Sequence, residues 1–241
     1  MSYFLSEVSL RQGDTVTLEG EEARHLLGSR RMHAGERFAL QDPQGNRFRV
    51  ELVAQDRRRA TVTVLEPVTP PSMPERAVCL LRAAVKERSA EWIIQKGTEL
   101  GLAEIAFFLS ANSTVALKQM RAEKNMARWE RIAWEACKQC DRQFPPALTF
   151  LETLDDALAH PDRATPGWLL NQEGTPLSTA LLGDLPARSP VRVMVGPEGG
   201  FTGEEVSRMI AAGLRPVRIG ERVLRSETAA LAAAALLLIE K

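Results

Sequence analysis

Two glycine-bearing stretches near the carboxyl end of this 241-residue sequence have the makings of a ligand cradle. In the first, Val191-Arg-Val-Met-Val-Gly196-Pro197-Glu198-Gly199-Gly200-Phe201-Thr202-Gly203-Glu204-Glu205, an apolar run enters a turn poor in side chains. Such a turn exposes backbone amides and carbonyls, so a ligand can approach the main chain closely. Thr202 and Glu205 have capping-box spacing for a helix that follows. A tight strand-to-helix connection that needs glycine only for positive φ has the same composition, and the turn by itself leaves both readings open. The second stretch is Val217-Arg-Ile219-Gly220-Glu221-Arg-Val-Leu224-Arg225-Ser226-Glu227-Thr228-Ala229. Ser226 is suited to cap the last helix, and Glu227 falls in its first turn, where the helix dipole favours a carboxylate. Both turns follow apolar runs and are expected to form one pocket. Neither has the GxGxxG or GxxxxGK[ST] pattern, so a nucleoside ligand without a triphosphate fits better than a dinucleotide or nucleoside triphosphate.

The elements that position these turns follow from hydrophobic periodicity. Four prolines between Pro67 and Pro74 interrupt any strand or helix and mark a linker. Before it, period-two alternation at Thr15–Leu18, at Phe38 and Leu40, at Phe48, Val50 and Leu52, and at Val62 and Val64 predicts strands. Asp42-Pro-Gln-Gly-Asn46 joins two of them as a hairpin, and one helix is expected over Glu21–Met32. Residues 1–70 therefore read as a small β-barrel with one helix, and residues 71–241 as a second domain. In the second domain the runs Val78–Leu81, Ile105–Phe108, Trp168–Leu170, Val191–Val195 and Val217–Ile219 alternate with helical stretches. Those stretches are Ala90–Leu100, Ala122–Cys140, Glu204–Ala212 and Glu227–Ile239. The alternation implies a parallel sheet covered by helices, with ligands at the carboxyl ends of its strands. The last helix is apolar on all sides, as befits a core helix or a dimer seam.

Composition narrows the class. Lys+Arg and Asp+Glu are each 31, which weighs against binding nucleic acid by charge alone. Basic residues outnumber acidic ones 12 to 9 over 75–150 but are outnumbered 9 to 12 over 151–241, so a polyanion is expected to touch the first 150 residues more. Three cysteines make a secreted disulfide framework improbable. Cys137 and Cys140 form a lone CxxC without a second pair, so no metal is expected there. No apolar stretch has the length of a membrane span, so a cytoplasmic protein without a membrane partner is expected.

Four motifs in order give a resemblance. Gly196-Pro-Glu-Gly-Gly-Phe-Thr, Ile219-Gly-Glu-Arg-Val-Leu-Arg-Ser-Glu-Thr-Ala, Gln95-Lys-Gly-Thr-Glu99-Leu-Gly and Glu135-Ala-Cys-Lys-Gln139-Cys-Asp-Arg142 closely resemble the RsmE family. These are 16S ribosomal RNA uridine N3-methyltransferases of the SPOUT superfamily. His25–Met32 and Gly35-Glu-Arg-Phe-Ala-Leu resemble the family's PUA-like RNA-binding barrel. The resemblance implies an α/β fold with a SPOUT-type parallel sheet and a trefoil knot, S-adenosylmethionine as cofactor, a homodimer, no metal, and 16S rRNA in the 30S subunit as substrate. The implied cofactor residues are Leu170, Asn171, Gly196, Pro197, Glu198, Gly199, Gly200, Ile219, Gly220, Leu224, Arg225, Glu227, Thr228 and Ala229. The chain departs from the family at Ser29-Arg30, where an apolar pair is usual, and at Ser110-Ala-Asn112-Ser113-Thr114, which lacks an arginine.

Methylation at uridine N3 needs charge stabilisation as the N3 proton leaves. Arg225 and Arg142 are candidates, since guanidinium donates two parallel hydrogen bonds to a pyrimidine edge. Glu198 or Glu227 either accepts the proton or serves only as a cap. RNA contacts are expected from Arg24, Arg30, Arg31, Lys86, Arg88 and Lys138, each of which singly also suits a solvated face. The competing functions are a SPOUT enzyme acting on ribose 2′-OH or transfer RNA, and a ribosome-assembly protein without catalysis.

Overall fold

The computed structural model describes residues 3–177, 185 and 188–238. Contacts divide the chain into one unit of Met1–Ser72 with Cys137–Phe144, and a second of Met73–Ala136 with Pro145–Lys241.

In the first unit, β1 (Tyr3–Leu5), β2 (Thr15–Leu18), β3 (Arg37–Gln41), β4 (Arg47–Gln55) and β5 (Ala60–Val68) form a mixed sheet in the order β1-β3-β4-β5-β2. Only β1 and β3 run parallel among these pairs. The period-two pattern buries Phe38, Leu40, Val50, Leu52, Val62 and Val64 together. At the predicted hairpin, the Asp42 carboxylate accepts the backbone N–H groups of Gln44 at 3.0 Å and Asn46 at 2.8 Å. The single helix expected over 21–32 is shorter. Helix α1 (Gly20–Arg24) passes into one π turn, His25–Ser29, and Arg31 stands at φ 52°. Gly28 and Ser29 are poor helix formers, which accounts for the early end.

The second unit carries β6 (Val78–Ala83), α2 (Glu87–Leu100), β7 (Glu104–Phe108), α3 (Leu117–Met120), α4 (Glu123–Cys140), β8 (Ala147–Leu151), α5 (Leu154–Ala159), β9 (Gly167–Pro176), β10 (Val191–Val195), α6 (Gly203–Ala211), β11 (Arg215–Arg218) and α7 (Ser226–Leu238). The last four residues of α4 belong to the first unit. Six strands pair in parallel in the order β11-β9-β10-β6-β7-β8. Alternate residues feed two cores, as they must in a sheet covered on both faces. Val78, Leu80, Val193 and Val195 meet Ile93 of α2, Trp129 of α4 and Ala233 of α7. Cys79, Leu81 and Met194 face Leu158 of α5 and Met209 of α6. Ile239, placed by the sequence in the last helix, lies outside the described residues. Among the described residues no helix is long and apolar enough to cross a membrane.

Strand β10, late in the chain, lies between β6 and β9. Its carboxyl end therefore emerges beside that of β6, with Val195 opposite Arg82, while on its other side Met194 pairs with Leu169 of β9. One expectation is corrected at β9. Leu170 and Asn171 do not leave the strand, because β9 continues to Pro176, where Thr175 and Pro176 pair with Val217 and Arg218 beyond a register shift. Gly174 permits this: a Cβ there would stand 2.5 Å from the Val217 nitrogen.

Candidate functional site

The turn after β10 is built as its composition requires. Gly200 donates its N–H to the Pro197 carbonyl at 2.9 Å and has φ +69°, a conformation that strains any side chain. At Gly196 a Cβ would stand 3.1 Å from the Phe201 ring, a tight contact that glycine avoids. The expected capping box is present: Thr202 Oγ1 accepts the Glu205 N–H at 3.2 Å, and Glu205 Oε2 accepts the Thr202 N–H at 2.9 Å. Glu205 is buried and also accepts the Ala111 N–H at 2.7 Å. Asn112 Nδ2 donates to the carbonyls of Gly200 at 3.1 Å and Gly199 at 3.4 Å. The segment that lacks the family's arginine thus fastens the glycine turn from outside through a neutral amide.

The residue that ties the two turns together is Arg82, which sequence reasoning missed. It is 0 % exposed, and its guanidinium donates to the carbonyls of Gly196 and, at 3.2 Å, of Val195, and to Ser226 Oγ at 2.7 Å. One side chain therefore spans from the first glycine turn to the first residue of α7. Burial pushes its pKa down to about 10, against the carboxylates of Glu198 and Glu227, which favour the charged form. Its Nε is buried without a hydrogen-bond partner. The signal was an arginine embedded in Leu80-Leu81-Arg82-Ala83-Ala84-Val85, since a charge inside an apolar run must find internal acceptors.

The second turn leads into α7. Gly220 takes φ +67°, and the Arg225 carbonyl accepts the Ala229 N–H at 2.9 Å, opening the helix. Arg225, Glu227 and Thr228 line a cleft of about 750 Å³ together with Arg88, Trp92 and Gln95 of α2. Trp92 is 50 % exposed there. The cleft thus unites a predicted charge-stabilising arginine, a predicted cofactor carboxylate and one predicted RNA contact, Arg88. Gly196–Gly200 do not line it; Arg82 and Ser226 connect them to it.

Other predicted residues fall elsewhere. Lys86 is the exposed N-cap residue of α2. Glu198 is exposed on the first turn, and Ile219 and Leu224 are half-buried on the second. Asn171 uses its Oδ1 to accept the Glu173 N–H at 2.9 Å. In the first unit Arg24, Arg30 and Arg31 are exposed. Lys138, expected to contact RNA, is instead buried in that unit with its Nζ 2.9 Å from Glu22 Oε1. Arg142 is also buried there, with its Nε donating to the Phe144 carbonyl at 2.5 Å and its own carbonyl accepting the Tyr3 hydroxyl at 2.6 Å.

The chain is similar to known proteins over most of its length. Residues 72–238 match the model of the RNA methyltransferase domain family. The chain is 33 % identical over 225 residues to the ribosomal RNA small subunit methyltransferase E of Synechocystis, covering 89 % of this chain and 70 % of that protein. It is 29 % identical to the Bacillus subtilis protein of the same name, over 94 % of this chain and 91 % of the relative. The crystal structure of the Neisseria gonorrhoeae protein of that name, bound to S-adenosylmethionine, superposes with a TM-score of 0.83 at 29 % identity, covering 98 % of this chain and 96 % of that one.

Proposed function

The chain belongs to the ribosomal RNA small subunit methyltransferase E family within the RNA methyltransferases, and from that premise we propose that it methylates N3 of a specific uridine in 16S rRNA, using S-adenosylmethionine. The observation that carries the reading is the Arg82 bridge, which couples the Gly196 turn to the start of α7. The residues fit the cofactor: glycines with positive φ and open space at the Cβ position at 200 and 220, and a buried Arg82 Nε–H that finds no acceptor among the described residues. Gly196–Gly200, Ile219, Gly220, Leu224 and Glu227–Ala229 would hold it.

When bound, S-adenosylmethionine supplies a methyl group on a positively charged sulfur, which becomes neutral as the methyl leaves. Arg82 ties the Val195 and Gly196 carbonyls to Ser226, so that the turn is shaped before the ligand arrives, which lowers the ordering cost of binding. Arg225, exposed in the cleft, donates to the uracil edge and stabilises the negative charge spread over the carbonyl oxygens as the N3 proton is lost. Glu227, in the same cleft, accepts that proton directly or through a water. Arg88 and Lys86 of the second unit meet backbone phosphates, as do Arg24, Arg30 and Arg31 of the first unit. Lys138 is left out of these phosphate contacts, given its burial against Glu22, and Arg142, the other candidate for charge stabilisation, sits buried in the first unit. The target base is unstacked to reach the donor.

The reading extends to a trefoil knot of the carboxyl-terminal loops, supported by the placement of β10 between β6 and β9, and to a PUA-like RNA-binding role for residues 1–70. It also takes in a cytoplasmic homodimer, supported by the half-buried Leu231, Ala232, Ala235 and Leu236 on an otherwise apolar α7. The test is incubation of the purified chain with unmodified 30S subunits and labelled S-adenosylmethionine, followed by nucleoside analysis. N3-methyluridine is expected; a 2′-O-methylated nucleoside, or label only in transfer RNA, would overturn the assignment, and absence of transfer with intact RNA binding would point to an assembly protein.

A further inference from the structure

At the other end of the parallel sheet, and on its other face, three side chains of different chemistry converge. Cys79 is the second residue of β6 and Glu104 the first of β7, and the two are register partners, so their side chains project from the same face. His160, at the C-cap of α5, completes the group. Cys79 Sγ lies 3.5 Å from Glu104 Oε2, His160 Nε2 lies 2.8 Å from Glu104 Oε1, and all three donor atoms fall within 4.8 Å of one another. Thr149 of β8 donates its hydroxyl to Glu104 Oε1, fixing the carboxylate from behind. Cys79 is buried, whereas His160 and Glu104 keep 25 % and 17 % of their side chains exposed, so the cluster is open to solvent on one side.

We propose that Cys79, Glu104 and His160 bind a single divalent transition-metal ion, with zinc the best match, and with water in the fourth position. Thiolate, imidazole and carboxylate are the donors that zinc takes, and the thiol disfavours magnesium or calcium. Tetrahedral coordination at ordinary zinc bond lengths sets donor atoms about 3.4–3.6 Å apart. Cys79 Sγ approaches Glu104 Oε2 whereas His160 Nε2 approaches Oε1, so one carboxylate oxygen becomes the common donor only after the Glu104 carboxylate and the His160 imidazole rotate, and both side chains are partly exposed. Loading breaks the Cys79 S–H bond as the metal–sulfur bond forms, and the proton passes to solvent. Arg192, the register partner of Cys79 on β10, is a buried cation whose charge acts on Cys79. Its guanidinium is turned to the carbonyls of Leu158 at 2.6 Å and Arg163 at 3.2 Å. Asp162 is a further charge acting on Arg192. The site stands three residues before Arg82 on β6 and on the opposite face, so its metal is structural and does not touch the methyl-transfer cleft.

The test titrates cobalt(II), then zinc(II), into the full chain after chelator treatment under reducing conditions. One ion per chain is expected, with a near-ultraviolet thiolate-to-cobalt band that zinc displaces. C79S abolishes the band, H160Q weakens cobalt binding at least tenfold, and a C137S/C140S double variant keeps it. Zinc raises the melting temperature of the parent chain and not of C79S, and turnover on 30S subunits is the same with and without zinc. A band that survives C79S, or no uptake by the parent chain, overturns the proposal and leaves the trio a hydrogen-bonded cluster around Glu104.

Discussion

Replacing Arg82 with methionine separates the shaping of the cofactor turns from the stability of the fold. The guanidinium donates to Gly196, Val195 and Ser226 Oγ. Methionine fills similar volume but leaves the Gly196 carbonyl and the Ser226 hydroxyl without that donor, at about 1–3 kcal/mol each. Against this stands the cost of burying the charge. Folding lowers the Arg82 pKa from the usual guanidinium range to about 10, so the native state is penalised wherever the side chain is protonated in both states, which is every pH below about 10. Stability from this group rises only as pH climbs above about 10. The penalty at neutral pH is on the order of 3 kcal/mol, and Arg82→Met sheds it. The two effects nearly cancel, so the midpoint of urea unfolding should fall by no more than about 3 kcal/mol equivalent at pH 7.5. Cofactor affinity has no such compensation. With the Gly196 turn uncoupled from α7, the S-adenosylmethionine Kd measured by calorimetry should rise at least about tenfold, or about 1.4 kcal/mol. Arg82→Lys, which keeps the charge without the fork, should fall between. Unchanged cofactor affinity in a folded Arg82→Met protein would refute the reasoning.

Arg225→Ala should lower kcat on 30S subunits by at least about a hundredfold with little change in melting temperature, as expected for an exposed donor aimed at developing charge; near-normal turnover would remove it from the mechanism. Asn112→Ala removes an exposed amide from the Gly199 and Gly200 carbonyls, so the KM for S-adenosylmethionine should rise a few-fold with kcat nearly unchanged, and a kcat loss alone would contradict this. Neutralising Arg30 and Arg31 together should flatten the salt dependence of RNA binding by about 1.4–1.8 in log–log slope if each meets one phosphate, and an unchanged slope would mean both are merely solvated.

The parts of this structure that were legible in the sequence are those governed by local rules. Thr202 and Glu205 stand three residues apart before a helix, and the capping box follows. Asp42 and Gly45 likewise specify their hairpin. Strand β8 was not legible because Ala147–Leu151 is an edge strand, half-buried along most of its length, and shows no alternation. Helix α5 is too short, at six residues, to display a period. The insertion of β10 between β6 and β9 depends on long-range pairing that no local pattern encodes. Arg82 escaped notice for a related reason: its charge suggests a strand end at Leu81, whereas β6 runs on to Ala83 because acceptors wait in a turn more than a hundred residues away. The family motifs located the glycine turns but not the side chain that couples them. Conversely, Lys138 and Arg142 lie in a recognisable motif, yet both are buried in the first unit.

Amide hydrogen exchange with and without S-adenosylmethionine asks most directly whether the two turns act as one binding element. Residues 196–202 and 219–229 should gain protection together, over the same range of cofactor concentration, while the amino ends of β6 and β7 around Cys79 and Glu104 stay unchanged. Protection confined to one turn, or two turns that respond at different concentrations, would contradict the account.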